Sequence, residues 1–206
     1  QVSVGFVTGL GYANPYLSPF EEFQRFKTHA ALRGFLEGGK RIAYGARSIT
    51  AGGLQSLPRL VFPGGALIGD EAGFLNAART KGCHGAITSG TLAAEACFDA
   101  LTAGRRGDEL TAFPETFQRS WLYEELFASR NFGPAMHKFG PIIGAGFNWF
   151  DQNILGGKMP FTLHDTKPDY ACLKQAKDSK KIDYPKPDGK LSFDKLSSVF
   201  ISGTNH

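Results

Sequence analysis

The sequence predicts a mixed α+β chain in which short apolar strands alternate with helices. Three observations predict it. Short apolar runs (Val2, Val4 and Phe6 in alternation, then Leu60–Phe62 and Ala66–Gly69) are bounded by Gly or Pro. Residues 84–103 form an Ala-rich helical stretch, and residues 114–130 carry a helical apolar face.

The elements follow in order. Residues 1–10 read as a strand, and residues 11–20 as a turn-rich connection. Ser18, Pro19 and Glu21 mark a helix start: Ser as N-cap, Pro at the first helical position, and Glu three residues after the cap. Phe20, Phe23 and Phe26 recur at spacing three, which reads as core packing. Residues 30–39 read as a short helix ending at Gly38-Gly39, and Lys40–Arg47 as a strand entering a Gly-bounded turn. The apolar runs at 60–62 and 66–69 flank the turn residues Pro63-Gly64-Gly65. In the helix at 114–130, Phe117, Trp121, Leu122 and Leu126 are expected on the buried side. From about Thr166 the chain turns polar and Lys-rich, with the Pro and Asp content of an extended surface segment.

Composition narrows the class. Of 206 residues, 42% are hydrophobic and 20% charged, which argues against a disordered tail and against a polytopic membrane protein. Twenty-six Gly and 18 Phe point to tight turns, close backbone approach and aromatic packing or an apolar surface. A net charge of +4 is too small to imply nucleic acid and suits a surface that meets anionic lipid or an acidic protein. Cys83, Cys97 and Cys172 are odd in number and far apart, without a CxxC pair, so reduced thiols are expected and neither a disulfide framework nor a metal site. The chain opens at Gln1 inside an apolar run with no targeting sequence, and ends abruptly; a piece of a longer protein is expected.

The stretch from Gly64 to Ala96 carries the chemistry. A short apolar run ends at Asp70, Gly73 follows, and a loop leads into a small-residue helix. An acid there accepts hydrogen bonds from sugar-like hydroxyls, Gly admits close backbone approach, and a helix N-terminus favours negative charge. This arrangement resembles the second flavin-binding motif of glutathione-reductase-like FAD enzymes. That resemblance puts Asp70, beside Gly69, on the ribityl hydroxyls. It puts Gly73, Phe74, Leu75 and Asn76 near the flavin pyrimidine edge.

Longer strings sharpen it: NPYLSPFEEFQRFKTH, LEGGKRIAYGAR, GGLQSLPRLVFPGG and KDSKKIDYPKPDGKLSFDKLSSVFISGTNH. They are similar to the electron-transfer flavoprotein–ubiquinone oxidoreductase family over essentially all 206 residues. The resemblance implies an enzyme with FAD and a [4Fe–4S] cluster that takes electrons from reduced electron-transfer flavoprotein to ubiquinone. It implies a monotopic or peripheral place on a bacterial inner membrane, or on the matrix side of the mitochondrial one, and no nucleic-acid partner. It refines the α+β class to an α/β FAD-domain portion of glutathione-reductase-like type plus a quinone-side antiparallel sheet and helices. The implied layout is a ubiquinone-side domain and return strand over 1–60 and the second FAD motif over 61–105. A helical segment with the membrane-surface element follows over 106–165, and residues 166–206 lead toward an iron–sulfur domain. Arg47 matches a family arginine close to the flavin, where a fixed cation would stabilise the reduced ring. Asn76 matches an asparagine able to hydrogen-bond that ring. Cys83, after Gly82, sits where relatives often have Thr and is expected near the flavin. Electron transfer needs no nucleophile, so no catalytic residue is expected, and His84 and His137 are read as structural.

Residues 139–150 hold twelve uncharged positions, short of the roughly 20 a spanning helix needs. An interfacial element fits, with Phe139, Phe147, Trp149 and Phe150 as membrane contacts. Asp151, Gln152 and Asn153 are expected to weaken it. Complete family members carry an upstream GxGxxG motif and downstream cluster-ligating cysteines, neither of which occurs in this sequence. These residues alone are therefore expected to be inactive and to bind FAD poorly. Two competing readings are a geranylgeranyl-reductase-like FAD enzyme and a non-catalytic membrane-surface binding module.

Overall fold

The computed structural model describes residues 1–204. The chain forms two compact units: Gln1–Arg47 together with Thr166–His206, and Ser48–Asp165. The polar segment from Thr166 groups with the N-terminal residues; its last two positions lie outside the described residues.

The first unit is built around helix α1 (Pro19–Lys27) and helix α2 (Ala30–Leu36). Ser18 caps α1, its Oγ accepting the Glu21 N–H at 3.4 Å, with Pro19 in the first turn as the sequence predicts. Glu21 and Glu22 at the start of α1 and Arg25 and Lys27 at its end complement the helix dipole. His29 caps α2. A last helix, α8 (Lys195–Phe200), starts at Asp194, which accepts the Ser197 N–H.

Side-chain-to-backbone bonds tie the unit together. Gln24 Oε1 accepts the Phe193 N–H at 2.9 Å, and Tyr184 donates to Glu22 while accepting from Ser18. Asp188 Oδ1 accepts three consecutive N–H groups, Lys190 to Ser192, which hold its carboxyl far below the usual carboxylate range. The Phe20, Phe23 and Phe26 face is half-buried, with Phe6 5.3 Å from Phe26 and Tyr44 6.0 Å from Phe20.

The strands expected at 1–10 and 40–47, and with them a quinone-side antiparallel sheet, do not form among the described residues. The segments stack through aromatic rings rather than backbone ladders. Alternation of apolar residues marks one-sided burial, but a strand also needs a partner edge, and alternation does not encode one.

The second unit contains a two-stranded antiparallel sheet, β1 (Val61–Phe62) and β2 (Gly65–Ala66), joined by the predicted Pro63-Gly64 turn. Gly64 has φ 79°, and a side chain on Gly65 would run into the Phe62 ring. The apolar run 66–69 does not continue as a strand: Leu67 and Ile68 are exposed, and α3 (Gly69–Ala72) begins at once. Helices α4 (Cys83–Thr102), α5 (Ala112–Gln118) and α6 (Trp121–Ser129) follow. Their core is Leu60, Val61, Phe74, Phe113, Phe117, Leu122 and Leu126. Phe74 is fully buried, edge-on to Phe117 at 5.0 Å.

The stretch expected as one helix at 114–130 breaks at Arg119-Ser120, because Ser120 turns extended (ψ 155°) and its Oγ caps Tyr123. The break moves Trp121 out of register with the buried face; it is 52% exposed rather than core.

Helix α7 (Phe132–Asn153) is two helical halves. Gly140 (φ 75°) precedes Pro141, so the chain turns back there. A Cβ on Gly144 would lie 2.8 Å from the Ala135 carbonyl oxygen, and Asn148 Nδ2 donates to the Phe132 carbonyl, so the halves pack closely. Arg130 is buried and donates to the carbonyls of Phe127, Gly157, Met159 and Phe161, fastening the segment after α7.

Candidate functional site

The site forms where α3, the loop 73–82 and the start of α4 meet. Gly69, with φ 71°, donates its N–H to Ser89 Oγ at 3.0 Å, and Ser89 is fully buried. This bond pins the start of α3 to the side of α4. Asp70 is therefore held in the first turn of α3, not at the end of a strand. Its carboxylate lies over Gly82, so that any side chain at 82 would overlap it. Asp70 Oδ1 is buried without a hydrogen-bond partner among the described residues. Gly82 is the N-cap of the 20-residue α4 and offers no side chain to the orphan N–H groups there.

Gly73 closes α3 in the left-handed region (φ 103°), a conformation that Gly adopts without strain. Gly85 lets α4 run against the Phe74 carbonyl, where a Cβ would collide. Phe74 and Leu75 are buried, so their side chains serve the core and only their backbone borders the site. Cys83 is an exposed thiol at the first position of α4.

Asn76 is 2% exposed, with Nδ2 donating to Glu125 Oε1 at 2.7 Å and Oδ1 accepting the Arg79 N–H. His84 Nε2 lies 2.8 Å from the same Glu125 oxygen, and Arg79 Nη1 lies 3.8 Å from the other. Burial pushes the Glu125 carboxyl up, but bonds from Asn76 and His84 and the charges of His84 and Arg79 outweigh it and hold the carboxyl below its ordinary range. The His84 ring stacks on Trp121 at 5.9 Å.

Eight of the nine predicted cofactor residues, Gly69, Asp70, Gly73, Phe74, Leu75, Asn76, Gly82 and Cys83, thus belong to one structural turn. Arg47 is exposed at the end of the first unit. Sequence reasoning missed Ser89, Arg79 and Glu125. Ser89 lies within the small-residue string after Gly82, but Glu125 is 49 residues from Asn76, and no local pattern marks it.

An apolar face lies on the second half of α7. Ile142 (87%), Ile143, Trp149 and Phe150 are exposed there, with Ile154 just after the helix and Phe139 at the end of the first half exposed as well. Phe147 is half-buried between Phe139 and Phe161. Asp151, expected to weaken this face, points inward and is 1% exposed, and Gln152 donates to the Ala128 carbonyl. Among the described residues no helix is long and apolar enough to cross a membrane. No group of three or more His, Cys, Asp or Glu among them is arranged to hold a metal ion, so these residues do not fit an iron–sulfur cluster.

Residues 1–49 match a protein-family model described as ETF-QO, ubiquinone-binding. The whole chain is 65% identical to the electron transfer flavoprotein-ubiquinone oxidoreductase of Pseudomonas aeruginosa, covering 38% of that protein. It is 55% identical to a probable electron transfer flavoprotein-ubiquinone oxidoreductase of Acinetobacter baylyi, covering 39% of it. It is 52% identical to the mitochondrial electron transfer flavoprotein-ubiquinone oxidoreductase of Rattus norvegicus, covering 34% of it. The chain thus spans less than two fifths of the length of these relatives.

Proposed function

This chain belongs to the electron transfer flavoprotein–ubiquinone oxidoreductase family, and from that premise we propose that it is the flavin- and quinone-side part of a membrane-associated enzyme. The whole protein carries electrons from reduced electron-transfer flavoprotein to ubiquinone. The observation that carries this reading is the Asp70 carboxylate, with a buried unpaired oxygen over a bare Gly82, in a chain 65% identical end to end to a named oxidoreductase.

The residues present fit the ribityl and pyrimidine parts of FAD. Asp70 Oδ1 accepts a ribityl hydroxyl. The unpaired N–H groups at the start of α4 favour the negative charge that builds on the reduced ring. Gly73 allows the left-handed turn, Gly82 leaves room for the Asp70 carboxylate, and Phe74 and Leu75 anchor the turn in the core. FAD, when bound, supplies the electron-carrying chemistry, and no proton-transferring side chain of this chain is needed for it. Cys83, at the first position of α4, is assigned to the flavin edge. The [4Fe–4S] cluster of the whole protein takes its ligands from outside these residues.

Residues 1–49 contribute to the quinone side, supported by the family model. The exposed face of α7, with Phe139, Trp149 and Phe150 and with Phe147 behind them, lies in the lipid surface of a bacterial or mitochondrial inner membrane. Such a place suits a quinone whose tail stays in lipid.

The test uses the full-length protein loaded with FAD, mixed with reduced electron-transfer flavoprotein and a soluble ubiquinone analogue. Quinone reduction that falls at least tenfold in Asp70→Ala, together with loss of bound flavin, is expected. A fully flavin-loaded protein that reduces no quinone would remove this reading.

A further inference from the structure

Glu125 does something for the flavin turn that the cofactor motif does not contain. It stands on α6, outside the motif, and its side chain is only 19% exposed. Three groups of one short segment converge on its two oxygens. Asn76 Nδ2 reaches Oε1 at 2.7 Å, His84 Nε2 reaches Oε1 at 2.8 Å, and Arg79 Nη1 stands 3.8 Å from Oε2. Asn76 and Arg79 belong to the loop between α3 and α4, and His84 is the second residue of α4.

We propose that Glu125 is a positioning residue for the flavin, clamping the loop 73–82 to the first turn of α4 so that its backbone donors keep a fixed distance from the ring. The proposal rests on the flavin reading of the Asp70 turn given above.

Phe74 and Leu75 anchor the start of the loop in the core, but residues 77–82 have little else to hold them. The loop's own backbone bonds are four long contacts of 3.2–3.3 Å between Asn76 or Ala77 and Arg79, Thr80 or Lys81. Thr80 has φ 51°, uncommon for a residue with a branched Cβ. A mostly buried carboxylate that receives charge-assisted bonds from both ends of such a loop restricts it more than those neutral contacts do. One hydrogen of the Asn76 amide is committed to Glu125, which fixes the direction of the other. The Trp121 ring, stacked on His84, covers the clamp from the α6 side.

The charge on Glu125 has a further effect. Because the Arg79 guanidinium stands beside it, part of the carboxylate's charge is offset locally, which limits the repulsion it adds to a ring that becomes negative on reduction. Replacing it with Gln removes one acceptor oxygen and puts an amide N–H₂ against Arg79 or His84, two other donors.

The experiment uses the full-length protein loaded with FAD and compares Glu125→Gln, Glu125→Asp, the exposed neighbour Glu124→Gln, and Asp70→Asn. Two quantities are read: the rate of flavin release, and the midpoint potential of the flavin that stays bound. The expected result is a roughly tenfold faster release and a lower potential in Glu125→Gln, a smaller change of the same sign in Glu125→Asp, and no change in Glu124→Gln. A purely structural role would lower the yield of loaded protein without moving the potential. Unchanged potential in both Glu125 variants, with Asp70→Asn still releasing flavin faster, overturns the clamp and leaves the flavin site standing. No effect in Asp70→Asn as well overturns the flavin reading, and the clamp with it.

Discussion

The Asp70 carboxylate fills the space that any side chain at position 82 would need, and one of its oxygens, though buried, has no partner among the described residues. An acid and a glycine twelve residues apart in sequence are thus one feature in space. Either alone is a weak signal; together they form a cradle with a free acceptor at the head of a long helix.

Gly82→Ala tests that cradle. The added methyl displaces the Asp70 carboxylate, and because that is the free end of a short side chain the overpacking cost should sit at the low end of the range, about 1 kcal/mol. Urea unfolding should show that loss, and the flavin absorbance per protein of the full-length form should drop at least tenfold. Gly146→Ala, at an open helical position of α7, should leave the flavin absorbance unchanged and raise stability by about 0.5–1 kcal/mol.

Arg130 is the second prediction. It is a buried cation with no carboxylate bonded to it among the described residues, and it serves four carbonyls at once. Lysine has three donors on a point charge and cannot reproduce the planar fork. Arg130→Lys should cost about 2 kcal/mol or more, seen as a lower denaturation midpoint, and should loosen the 157–163 segment to limited proteolysis.

The third concerns Ser120, which ends α5 and starts α6. Ser120→Ala loses the cap on Tyr123 and should destabilise by about 1 kcal/mol, with Ser120→Asp restoring most of it. Equilibrium unfolding of the three proteins side by side measures both.

Lys27 sets a pH dependence. Burial first, then the nearby Arg41 charge, lower its ammonium to about 8, with Asp188 opposing. Its folded value lies below its ordinary one of 10.5, so between pH 8 and 10.5 the unfolded chain binds more protons than the folded one. Stability should therefore rise with pH across that window, and the penalty should be fully present below it. Lys27→Met, which keeps the packing between Phe23 and Phe193, should flatten the rise. A thermal-melt series from pH 7.5 to 10 reads the slope in both proteins.

The apolar face of α7 gives the fifth. Ile142→Glu with Trp149→Glu places two charges at exposed positions and should leave the circular dichroism spectrum unchanged. Binding to vesicles with one-third anionic lipid should fall at least tenfold in flotation. Equal flotation of variant and parent would show that this face does not meet lipid.

Much of the architecture was legible from adjacent residues. Ser18-Pro19 marks the start of α1, and the Ala-rich run predicted over 84–103 forms Cys83–Thr102. The Pro63-Gly64 turn and the cluster from Gly69 to Cys83 also read directly, because caps, turns and glycine-dependent conformations depend on a few neighbours. The strands at 1–10 and 40–47 did not form, because pairing needs an edge that alternation cannot supply. Trp121 was misplaced because one hydroxyl cap broke a helix and rotated what followed.

What the sequence determined by itself was therefore the family, the starts of α1 and α4 and the turn chemistry between Gly69 and Cys83. Only the tertiary structure decided that Asp151 turns inward, away from the exposed apolar residues of α7, while Asn153 stays exposed beside them, and that Glu125 clamps Asn76 to His84. The physical reason is range: local conformation is set within a turn of chain, whereas a buried charge takes its partners from whatever the packed helices bring near it.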